Sequence, residues 1–382
     1  MYSIRGDTCT TRMKIVFIGC RDINLLGGIE SYMYNLTKEL VKLGHTPVVY
    51  CESNRNSIEE YDGIKVIHMT GFKSNLLCKP WVGLKATIRT LIKEKRVSII
   101  HYNAWPPSIW SFLPRLFRVK SLMQGHGLEW QRTKYSPIQQ KILKFMEMVT
   151  AHTNQHLIMC SAVQVKYFKD TYKKDSITIP TAVHLPSSAG KNDNAVLEKF
   201  GLQSRKYFLF MARLVQDKNP DYLIEGFKAC QYGNMKLVIA GSNDSNPEYV
   251  KKLHEISAGN DNIVFTGAIY GDEKDAILRN AYVFCIPSTI EGLSIVLLEA
   301  MSYKLPVIAS DIDANHELLD DNAIWVKPEN IEDISNAIEY CLCNQESIES
   351  YTLNNYRKVV EYYTWDKVAK KYVEYLKGLG VN

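Results

Sequence analysis

The sequence of 382 residues is 46% hydrophobic and 23% charged, values typical of a globular protein, which exclude a disordered, collagenous or low-complexity chain. No apolar run approaches the ~18 residues that a membrane-spanning helix needs, and residues 1–13 lack the apolar segment of a signal peptide. The net charge of +5 hides an asymmetry, because residues 1–185 hold 26 Lys and Arg against 13 Asp and Glu, whereas residues 186–382 hold 20 against 28. The two parts therefore carry net charges of +13 and −8.

The first half of the chain alternates short β-branched runs with helical patterns. The predicted strands are 13–19, 46–51, 64–69, 98–103, 121–125 and 157–161. The predicted helices lie around 29–43, 82–96 and 136–152, and a turn over 24–28 follows the first strand. This alternation is typical of a parallel sheet that is covered by helices on both faces.

The second half repeats this alternation after a polar segment, residues 185–194, which is typical of a linker. Its predicted strands are 207–214, 236–242, 262–269, 282–288 and 305–310. Its predicted helices lie near 219–231, 247–258, 272–280 and 293–303, and the last ~40 residues are predicted helical. The pattern predicts two tandem, doubly wound α/β domains, residues 1–185 and 186–363, with a cleft between them. In such sheets ligands bind beyond the carboxyl ends of the strands.

Candidate binding residues follow the strands of the first domain. Gly27 and Gly28 open a helix, where the backbone and the helix N-terminus can approach an anion; a tight turn is the alternative. His126 follows the strand 121–125, and its neutral ring can bond a hydroxyl. His101, after the apolar run 98–100, is a similar candidate. A structural histidine is the alternative for both.

In the second domain, a pair of cations follows the first strand. Arg213 offers a planar fork and Lys218 a point charge, just before a helix that Asn219 and Pro220 are predicted to cap. Such a pair suits a diphosphate, and two solvated surface cations are the alternative.

A pattern of two glutamates follows the strand 282–288. A helix is predicted to start near Leu293, so that its first N–H groups beside Gly292 can bind an anion. Glu291 precedes this helix and can reach a sugar hydroxyl. Glu299 lies about 7.5 Å farther along the axis, where it can reach a ribose. A glutamate favoured by the helix dipole is the alternative.

Together these motifs resemble those of the family 4 glycosyltransferases, which have the GT-B architecture. The resemblance covers the chain beyond residue 13. In the second domain it rests on the E-x7-E pattern of Glu291 and Glu299 and on the pair Arg213 and Lys218. In the first domain it rests on the loop of Gly27, Gly28 and Glu30 and on His126, which stands at the position of the family's active-site His. Residues 363–372 look like the helix that crosses back to the first domain, which would then include residues 364–382. The segment 126–135 is similar to the GLEWKRxKW signature of a rhamnosyltransferase-like subgroup of bacterial surface-polysaccharide synthesis, with Gln131 and Tyr135 as departures.

The resemblance implies a retaining hexosyltransferase with an acceptor-binding first domain and a second domain that binds a UDP-, dTDP- or GDP-linked sugar. It implies a lipid-linked or oligosaccharide acceptor in capsule, O-antigen or exopolysaccharide synthesis, no cofactor and no required metal. The sequence Asp311-Ile-Asp313 has the letters of a metal-binding motif, but we expect it to cap the next helix.

The resemblance also assigns roles to the candidate residues. The leaving diphosphate would be neutralised by Arg213, Lys218 and the turn Gly292-Leu293-Ser294. The donor sugar would be oriented by His126, and its hydroxyls would be bound by Glu291. The ribose would be held by Glu299, and Tyr270 would lie near the base. Glu30, His101, Glu129 and Trp130 are expected on the acceptor side. Retention is often explained by a nucleophilic carboxylate, but the first domain offers no good candidate for one except Glu129. We therefore expect front-face attack, in which the leaving phosphate takes the acceptor proton.

A basic segment explains the charge asymmetry. Residues 79–144 hold thirteen Lys and Arg and two acids, interleaved with Trp81, Trp105, Trp110, Phe112, Leu113, Leu116 and Phe117. This composition predicts peripheral contact with the anionic inner face of the plasma membrane, with solvated helix faces over core aromatics as the alternative. No nucleic-acid-binding motif is present. The nine scattered cysteines predict free thiols in a reducing cytoplasm.

Other function classes remain open. A sugar-nucleotide epimerase of similar architecture would release free nucleotide and sugar without an acceptor. A phosphorylase would need a pyridoxal-bearing lysine, for which the sequence has no distinct candidate. An inactive partner subunit that binds a nucleotide sugar is a further alternative, although the full set of candidate residues argues against lost activity.

Overall fold

The computed structural model describes residues 12–23, 27–72, 75–131, 135–186, 190, 192–242 and 246–381. The chain divides into two compact units, Met1–Thr181 with Trp365–Asn382 as the first and Ala182–Thr364 as the second. These divisions fall four residues before the predicted 185/186 boundary and one residue after the predicted 363/364 boundary. The predicted turn residues 24–26 and part of the predicted linker 185–194 lie outside the described residues.

The first unit is built on an eight-stranded sheet. Its strands are β1 (Lys14–Cys20), β2 (Thr46–Ser53), β3 (Ser57–Tyr61), β4 (Ile64–Thr70), β5 (Ile99–Asn103), β6 (Lys120–Gly125), β7 (His156–Met159) and β8 (Ile177–Thr178). They lie in the order β3-β4-β2-β1-β5-β6-β7-β8. The edge pair β3–β4 is antiparallel and the other pairs are parallel. The carboxyl ends of β1, β5 and β6 therefore lie side by side.

The helices of the first unit follow its strands. They are α1 (Gly28–Lys42), α2 (Asn75–Lys93), α3 (Trp105–Ser108), α4 (Leu113–Leu116), α5 (Pro137–Thr153) and α6 (Ala162–Tyr172). A 3₁₀ turn, Glu129–Gln131, lies between β6 and α5. Helix α5 begins with a capping box, in which the Ser136 hydroxyl accepts from the Gln139 N–H and the Gln139 side chain returns to the Ser136 N–H.

The second unit has a fully parallel six-stranded sheet. Its strands are β9 (Tyr207–Met211), β10 (Lys236–Ala240), β11 (Ile263–Gly267), β12 (Val283–Ile286), β13 (Val307–Ser310) and β14 (Ile324–Val326), in the order β11-β10-β9-β12-β13-β14. Its helices are α7 (Asp193–Lys199), α8 (Pro220–Ala229), α9 (Pro247–Ser257), α10 (Gly271–Asn280), α11 (Ile295–Ser302), α12 (Asp313–Leu319), α13 (Ile331–Cys343) and α14 (Gln345–Tyr362). Successive residues of β9 alternate between two apolar clusters, Phe208 in one and Leu209 in the other, so both faces of the sheet are covered.

The chain returns to the first unit in its last helix, α15 (Trp365–Gly378). Six of its side chains are buried, at the helical spacing Trp365, Val368, Ala369, Tyr372, Val373 and Leu376. The Tyr372 hydroxyl lies 2.8 Å from Nδ1 of His101 on β5. This helix is therefore part of the core of the first unit.

The predicted α/β fold of two doubly wound domains is confirmed. The predicted cleft stays a prediction. Among the described helices, none is both long and apolar enough to cross a membrane. The eight cysteines that the structure describes are free, and the ninth, Cys9, lies outside the described residues.

Candidate functional site

The loops after β9 and β12 bring together two of the predicted site residues. Lys218 ends a 3₁₀ turn after β9, and its Nζ lies 2.5 Å from Oε1 of Glu291, in the loop after β12. The Ser288 hydroxyl donates to the same Oε1 at 2.8 Å. The Thr289 N–H donates to the Asp217 carbonyl at 3.0 Å and ties the two loops together. The predicted phosphate-binding cation and the predicted sugar-binding carboxylate thus form one ion pair.

Helix α11 begins directly after this ion pair. Ser294 is its N-cap and accepts from the Leu297 N–H at 3.4 Å, so the helix begins at Ile295, two residues later than predicted. Gly292 and Leu293 form the turn between Glu291 and the cap. The partial positive charge of this N-terminus adds to that of Lys218.

The second glutamate of the predicted pattern has a partner that the sequence did not indicate. Glu299 lies five residues beyond the N-cap of α11, and its Oε1 is 2.7 Å from Nζ of Lys274 on α10. Both side chains are half-buried. Since 25 residues separate the two, only the packing of α10 beside α11 reveals the pair.

Two further predicted residues lie in exposed loops of the second unit. Arg213 follows β9 and is exposed, and Tyr270, directly before α10, is 55% exposed. The loop of Arg213 lies close to the loop after β10, where a Cβ atom on Gly241 would be 1.9 Å from the Ala212 carbonyl. Only glycine fits this approach, because Gly241 also has a φ of +156°.

One predicted helix cap is correct in position and one is wrong. Asn219 is the N-cap residue of α8 and Pro220 its first residue, as predicted, but the Asn219 side chain makes no cap bond. Its residue adopts a left-handed φ of 52°, and its Nδ2 donates to the Pro287 carbonyl at 2.9 Å. Neither aspartate of Asp311-Ile-Asp313 caps α12, whose N-cap is Ile312. Asp311 instead lies 2.7 Å from Nε2 of His316, one turn into that helix.

The Gly27–Gly28 pair at the start of α1 lies against the side chain of Glu30. Gly27 is the N-cap of α1 and Gly28 its first residue. A Cβ atom on Gly27 would lie 2.2 Å from Oε2 of Glu30, so the glycine lets the carboxylate fold back. Arg21 Nε donates to Glu30 Oε1 at 2.8 Å. Burial raises the pKa of Glu30, but the bonds from Arg21 and from its own backbone outweigh burial and lower the pKa.

The predicted acceptor-side role of Glu30 stays a prediction. Its side chain is only 5% exposed, and its ion pair with Arg21 connects the start of α1 to the residue that follows β1.

His126 follows β6, as predicted, and is half-buried. Its Nε2 lies 3.0 Å from Oδ1 of Asn103, the last residue of β5. Its ring meets Tyr32 edge-on, with 4.8 Å between the ring centroids. Burial lowers the pKa of His126 to about 4, which leaves the ring neutral near pH 7. A neutral ring suits the predicted contact with a hydroxyl.

His101 lies in the core, and its predicted acceptor-side position is wrong. It is wholly buried on the central strand β5, between Phe17 at 4.8 Å and Tyr372 at 5.5 Å, centroid to centroid. Burial holds the pKa of His101 well below its usual range. The residue connects α15 to the sheet.

Glu129 and Trp130 lie in the 3₁₀ turn after His126, and their predicted contact with the acceptor stays a prediction. The Tyr135 hydroxyl donates to Glu129 at 3.3 Å. The Trp130 indole N–H donates at 3.1 Å to Oε2 of Glu147, a wholly buried residue of α5.

The Glu147 carboxylate is an anchor for this turn that the sequence did not indicate. Its Oε1 accepts from the hydroxyls of Tyr167 and Tyr172 at 2.8 and 2.7 Å and lies 3.1 Å from Lys144 Nζ. The same ammonium lies 4.3 Å from the centroid of the Trp130 ring. Burial raises the pKa of Glu147, and the bonds from Tyr172, Lys144 and Trp130 offset that effect only in part.

The basic segment exposes apolar side chains beside its cations. On α2, between residues 112 and 117, and on α5 the exposed apolar residues are Leu77, Trp81, Ile88, Ile92, Phe112, Leu116, Phe117, Ile138, Ile142, Phe145 and Met148. The exposed cations of the segment are Lys93, Lys95, Arg96, Arg115, Arg118 and Lys141. Trp105 is instead a core residue stacked on Phe168, and Arg132 and Lys134 lie outside the described residues. We call the exposed residues of these two lists the basic apolar surface.

Comparisons with known proteins cover both units. A family model described as "Glycosyltransferase Family 4" matches residues 26–185, and one described as "Glycosyl transferases group 1" matches residues 194–358. An uncharacterized glycosyltransferase of Methanocaldococcus jannaschii is 36% identical over 176 residues, which are 45% of this chain and 45% of that protein.

Two further proteins match over nearly the whole chain. The GDP-mannose-dependent alpha-(1-6)-phosphatidylinositol monomannoside mannosyltransferase of Mycobacterium tuberculosis is 23% identical over 92% of this chain and 95% of its own length. The structure of sucrose-phosphate synthase from Thermosynechococcus elongatus has a TM-score of 0.83 at 18% identity and covers 97% of this chain and 99% of its own. The structural likeness shows the fold, which is the GT-B architecture of two Rossmann-like units.

Proposed function

The chain belongs to the family 4 glycosyltransferases, and from this premise we propose that it transfers a sugar from a nucleoside diphosphate donor to a lipid-linked saccharide acceptor. The observation that carries the proposal is the ion pair of Lys218 and Glu291 at the N-terminal end of α11. A cation, a helix N-terminus and a carboxylate then meet at the carboxyl end of a parallel sheet, where ligands of such folds bind.

The second unit binds the donor in this proposal. Lys218, Arg213 and the turn of Gly292, Leu293 and Ser294 neutralise the diphosphate, and Glu291 accepts hydrogen bonds from sugar hydroxyls. Glu299, held by Lys274, accepts from the ribose hydroxyls. Tyr270, on the exposed loop before α10, stacks on the base.

The reaction we propose retains the anomeric configuration by front-face attack. The bond between the anomeric carbon and the diphosphate oxygen breaks, and the acceptor oxygen bonds to the same carbon on the same face. The acceptor proton passes to the leaving phosphate oxygen. The cations of the second unit stabilise the negative charge that develops there, so the transfer needs no metal. His126 accepts a hydrogen bond from a donor-sugar hydroxyl and orients the ring.

The acceptor is the less defined substrate. The mycobacterial relative is named for action on a phosphatidylinositol monomannoside, a lipid-linked sugar. The basic apolar surface supports contact with such a substrate, since cations beside exposed Leu, Ile and Phe suit an anionic bilayer. We place the protein at the inner face of the plasma membrane, in synthesis of a surface polysaccharide such as capsule or O-antigen.

Nucleotide binding is the first experiment. UDP, dTDP, GDP and ADP are each added to the protein and the unfolding temperature is recorded. At 100 Kd the matching nucleotide adds about 2.7 kcal/mol, so one nucleotide is expected to raise the unfolding temperature above the others. No rise with any of the four overturns the proposed donor site.

The second experiment supplies the donor sugars of that nucleotide with vesicles that carry undecaprenyl-diphosphate saccharides or mannosylated phosphatidylinositol. We expect labelled sugar to enter the lipid fraction, with the anomeric configuration of the donor conserved in the product. Donor conversion to free nucleotide and sugar that is independent of acceptor supports an epimerase-type reaction instead, and an inverted product contradicts front-face attack.

A further inference from the structure

We propose that Asn103 is the positioning residue of His126, and that its side-chain oxygen fixes the histidine as the tautomer with the proton on Nε2. The inference rests on the proposed function of His126 in binding a sugar hydroxyl. It names a residue that no motif in the sequence singles out.

The geometry comes from the register of two neighbouring strands. Asn103 ends β5 and pairs with Gln124 of β6, two residues before His126. Asn103 is wholly buried, and its Oδ1 lies 3.0 Å from His126 Nε2. An amide oxygen only accepts, so the Nε2 that faces it carries the proton. Nδ1 then holds a lone pair and can accept from a hydroxyl.

The position of Asn103 is set by close packing on its other side. Gly19 of β1 has a φ of +116°, and a Cβ atom there would lie 2.4 Å from the Asn103 carbonyl oxygen. On the far side, Asn103 Nδ2 is buried and has no hydrogen-bond partner among the described residues. The Asn103 side chain thus lies in the core with only its oxygen hydrogen-bonded. A buried polar group without a partner is unfavourable, so the amide needs another reason to occupy this site. Bonding to His126 accounts for its presence.

The groups around His126 agree with a neutral ring. Those that face it or act on it are Tyr32 and Glu30 from α1, Lys79 from α2, His101 from β5 and Glu129 from the following turn. Glu129 and Glu30 favour the protonated form, but burial outweighs them and lowers the pKa. The ring therefore accepts a hydrogen bond rather than carrying a charge over the physiological range.

The first test needs no activity. Long-range ¹H–¹⁵N correlation spectra of histidine-labelled protein, assigned with His126→Gln, report which ring nitrogen of His126 carries the proton. We expect the Nε2–H tautomer in the wild type and a mixture of tautomers in Asn103→Leu. The Nδ1–H tautomer in the wild type, or an unchanged tautomer in Asn103→Leu, overturns the inference.

A charge-introducing variant gives the second test. Asn103→Asp keeps the shape and places a carboxylate against Nε2, which favours the imidazolium and moves the His126 titration upward by about one pH unit or more. We expect the acid limb of the kcat profile to move upward by the same amount. Tyr102→Phe is the matched control. Tyr102 directly precedes Asn103 on β5, and the substitution removes a buried hydroxyl that is hydrogen-bonded to Thr87 rather than to His126. It should leave both the tautomer and the profile in place.

The outcomes separate this inference from the proposed function. If the tautomer and titration behave as expected but no sugar is transferred, Asn103 still positions His126 and the proposed reaction is wrong. If sugar is transferred but the pH profile of Asn103→Asp coincides with that of Tyr102→Phe, the role assigned to Asn103 is wrong.

Discussion

Glu291 holds Lys218 in the protein without nucleotide, and this pairing has a consequence for binding. Its carboxylate neutralises the Lys218 ammonium, with 8% of the Glu291 side chain and 21% of the Lys218 side chain exposed. A diphosphate has to compete with that carboxylate for Lys218. When the diphosphate of the donor takes Lys218 as its partner, Glu291 is released and accepts hydrogen bonds from the sugar hydroxyls. A single exchange of ion-pair partners therefore supplies a contact to the diphosphate and a contact to the sugar.

We predict that Glu291→Gln binds the free nucleoside diphosphate more tightly while it transfers sugar more slowly. Loss of the competing charge is expected to tighten the complex by about tenfold, which corresponds to ~1.4 kcal/mol. Titration calorimetry with the nucleotide and a transfer assay measure the two effects. Glu273→Gln is the control, since it removes a surface ion pair with Lys199 from the same unit. Weaker nucleotide binding in Glu291→Gln contradicts the exchange.

Single residues also mark the limit of what the sequence predicts about the site. Lys218 and Glu291 could be predicted because each follows a strand in a motif with fixed spacing. Lys274, Asn103 and Glu147 could not, because their partners lie on other elements and only packing brings them together. The error on His101 has a related cause, since β5 continues to Asn103 and His101 lies inside this buried strand rather than after it.

At the scale of elements, the strands were the more predictable part. Every predicted strand is present, because apolar β-branched runs mark buried parallel strands clearly. The prediction misses three strands, β3, β8 and β14. Strand β3 has the polar sequence SIEEY, and β8 and β14 have only two and three residues; all three lie at sheet edges. Helix α2 begins seven residues before its predicted start. Pro80 is typical of a helix start, yet it lies inside this helix. Its carbonyl accepts a hydrogen bond from the Trp110 indole N–H.

Strand β5 carries the buried His101 and β6 is followed by His126, and we predict that these two histidines make the first unit acid-sensitive. Burial lowers the pKa of His126 to about 4 and that of His101 well below its usual range. The unfolded chain, with a histidine pKa of ~6.5, binds more protons between these values. Stability is therefore complete above about pH 6.5 and is lost as the pH falls towards 4, by on the order of 2 kcal/mol for His126.

Urea unfolding followed by tryptophan fluorescence measures this effect, because five of the six tryptophans belong to the first unit. Between pH 7.5 and 5, His126→Gln should lose less stability than the wild type does. His152→Gln, at an exposed position on α5, should retain the wild-type dependence. An identical pH dependence in the wild type and His126→Gln would show that folding does not lower the pKa of His126.

Over the whole molecule, the charge asymmetry sharpens when α15 is counted with the first unit, because the two units then carry net charges of +15 and −10. This difference matches their proposed tasks. The second unit is acidic overall and concentrates its functional cations at Arg213 and Lys218. The first unit spreads its excess over α2, α4 and α5, beside exposed apolar side chains. Charge spread over three helices exceeds what a small substrate can contact and suits a bilayer.

We predict that the protein binds vesicles of equal parts phosphatidylglycerol and phosphatidylcholine at low salt, and that it binds pure phosphatidylcholine weakly. The double variant Leu116→Asp and Phe117→Asp should reduce the bound fraction at least about tenfold, since each side chain contributes ~1.5–3 kcal/mol when buried. Cosedimentation measures the partition. Ile331→Asp, at an exposed apolar position of the second unit, is the matched control. Absence of binding to anionic vesicles at low salt contradicts the proposed membrane contact.

We propose that the second unit binds a nucleotide sugar through Lys218 and Glu299 and that the enzyme transfers its sugar. The rate of sugar transfer by the wild type, Lys218→Ala and Glu299→Ala, with the donor that the nucleotide screen selects, tests this proposal. We predict a loss of about 100-fold or more in each variant, with the unfolding temperature of the ligand-free protein within a few degrees of the wild type. Near-normal turnover in both folded variants would contradict the assignment of Lys218 and Glu299 to the donor site.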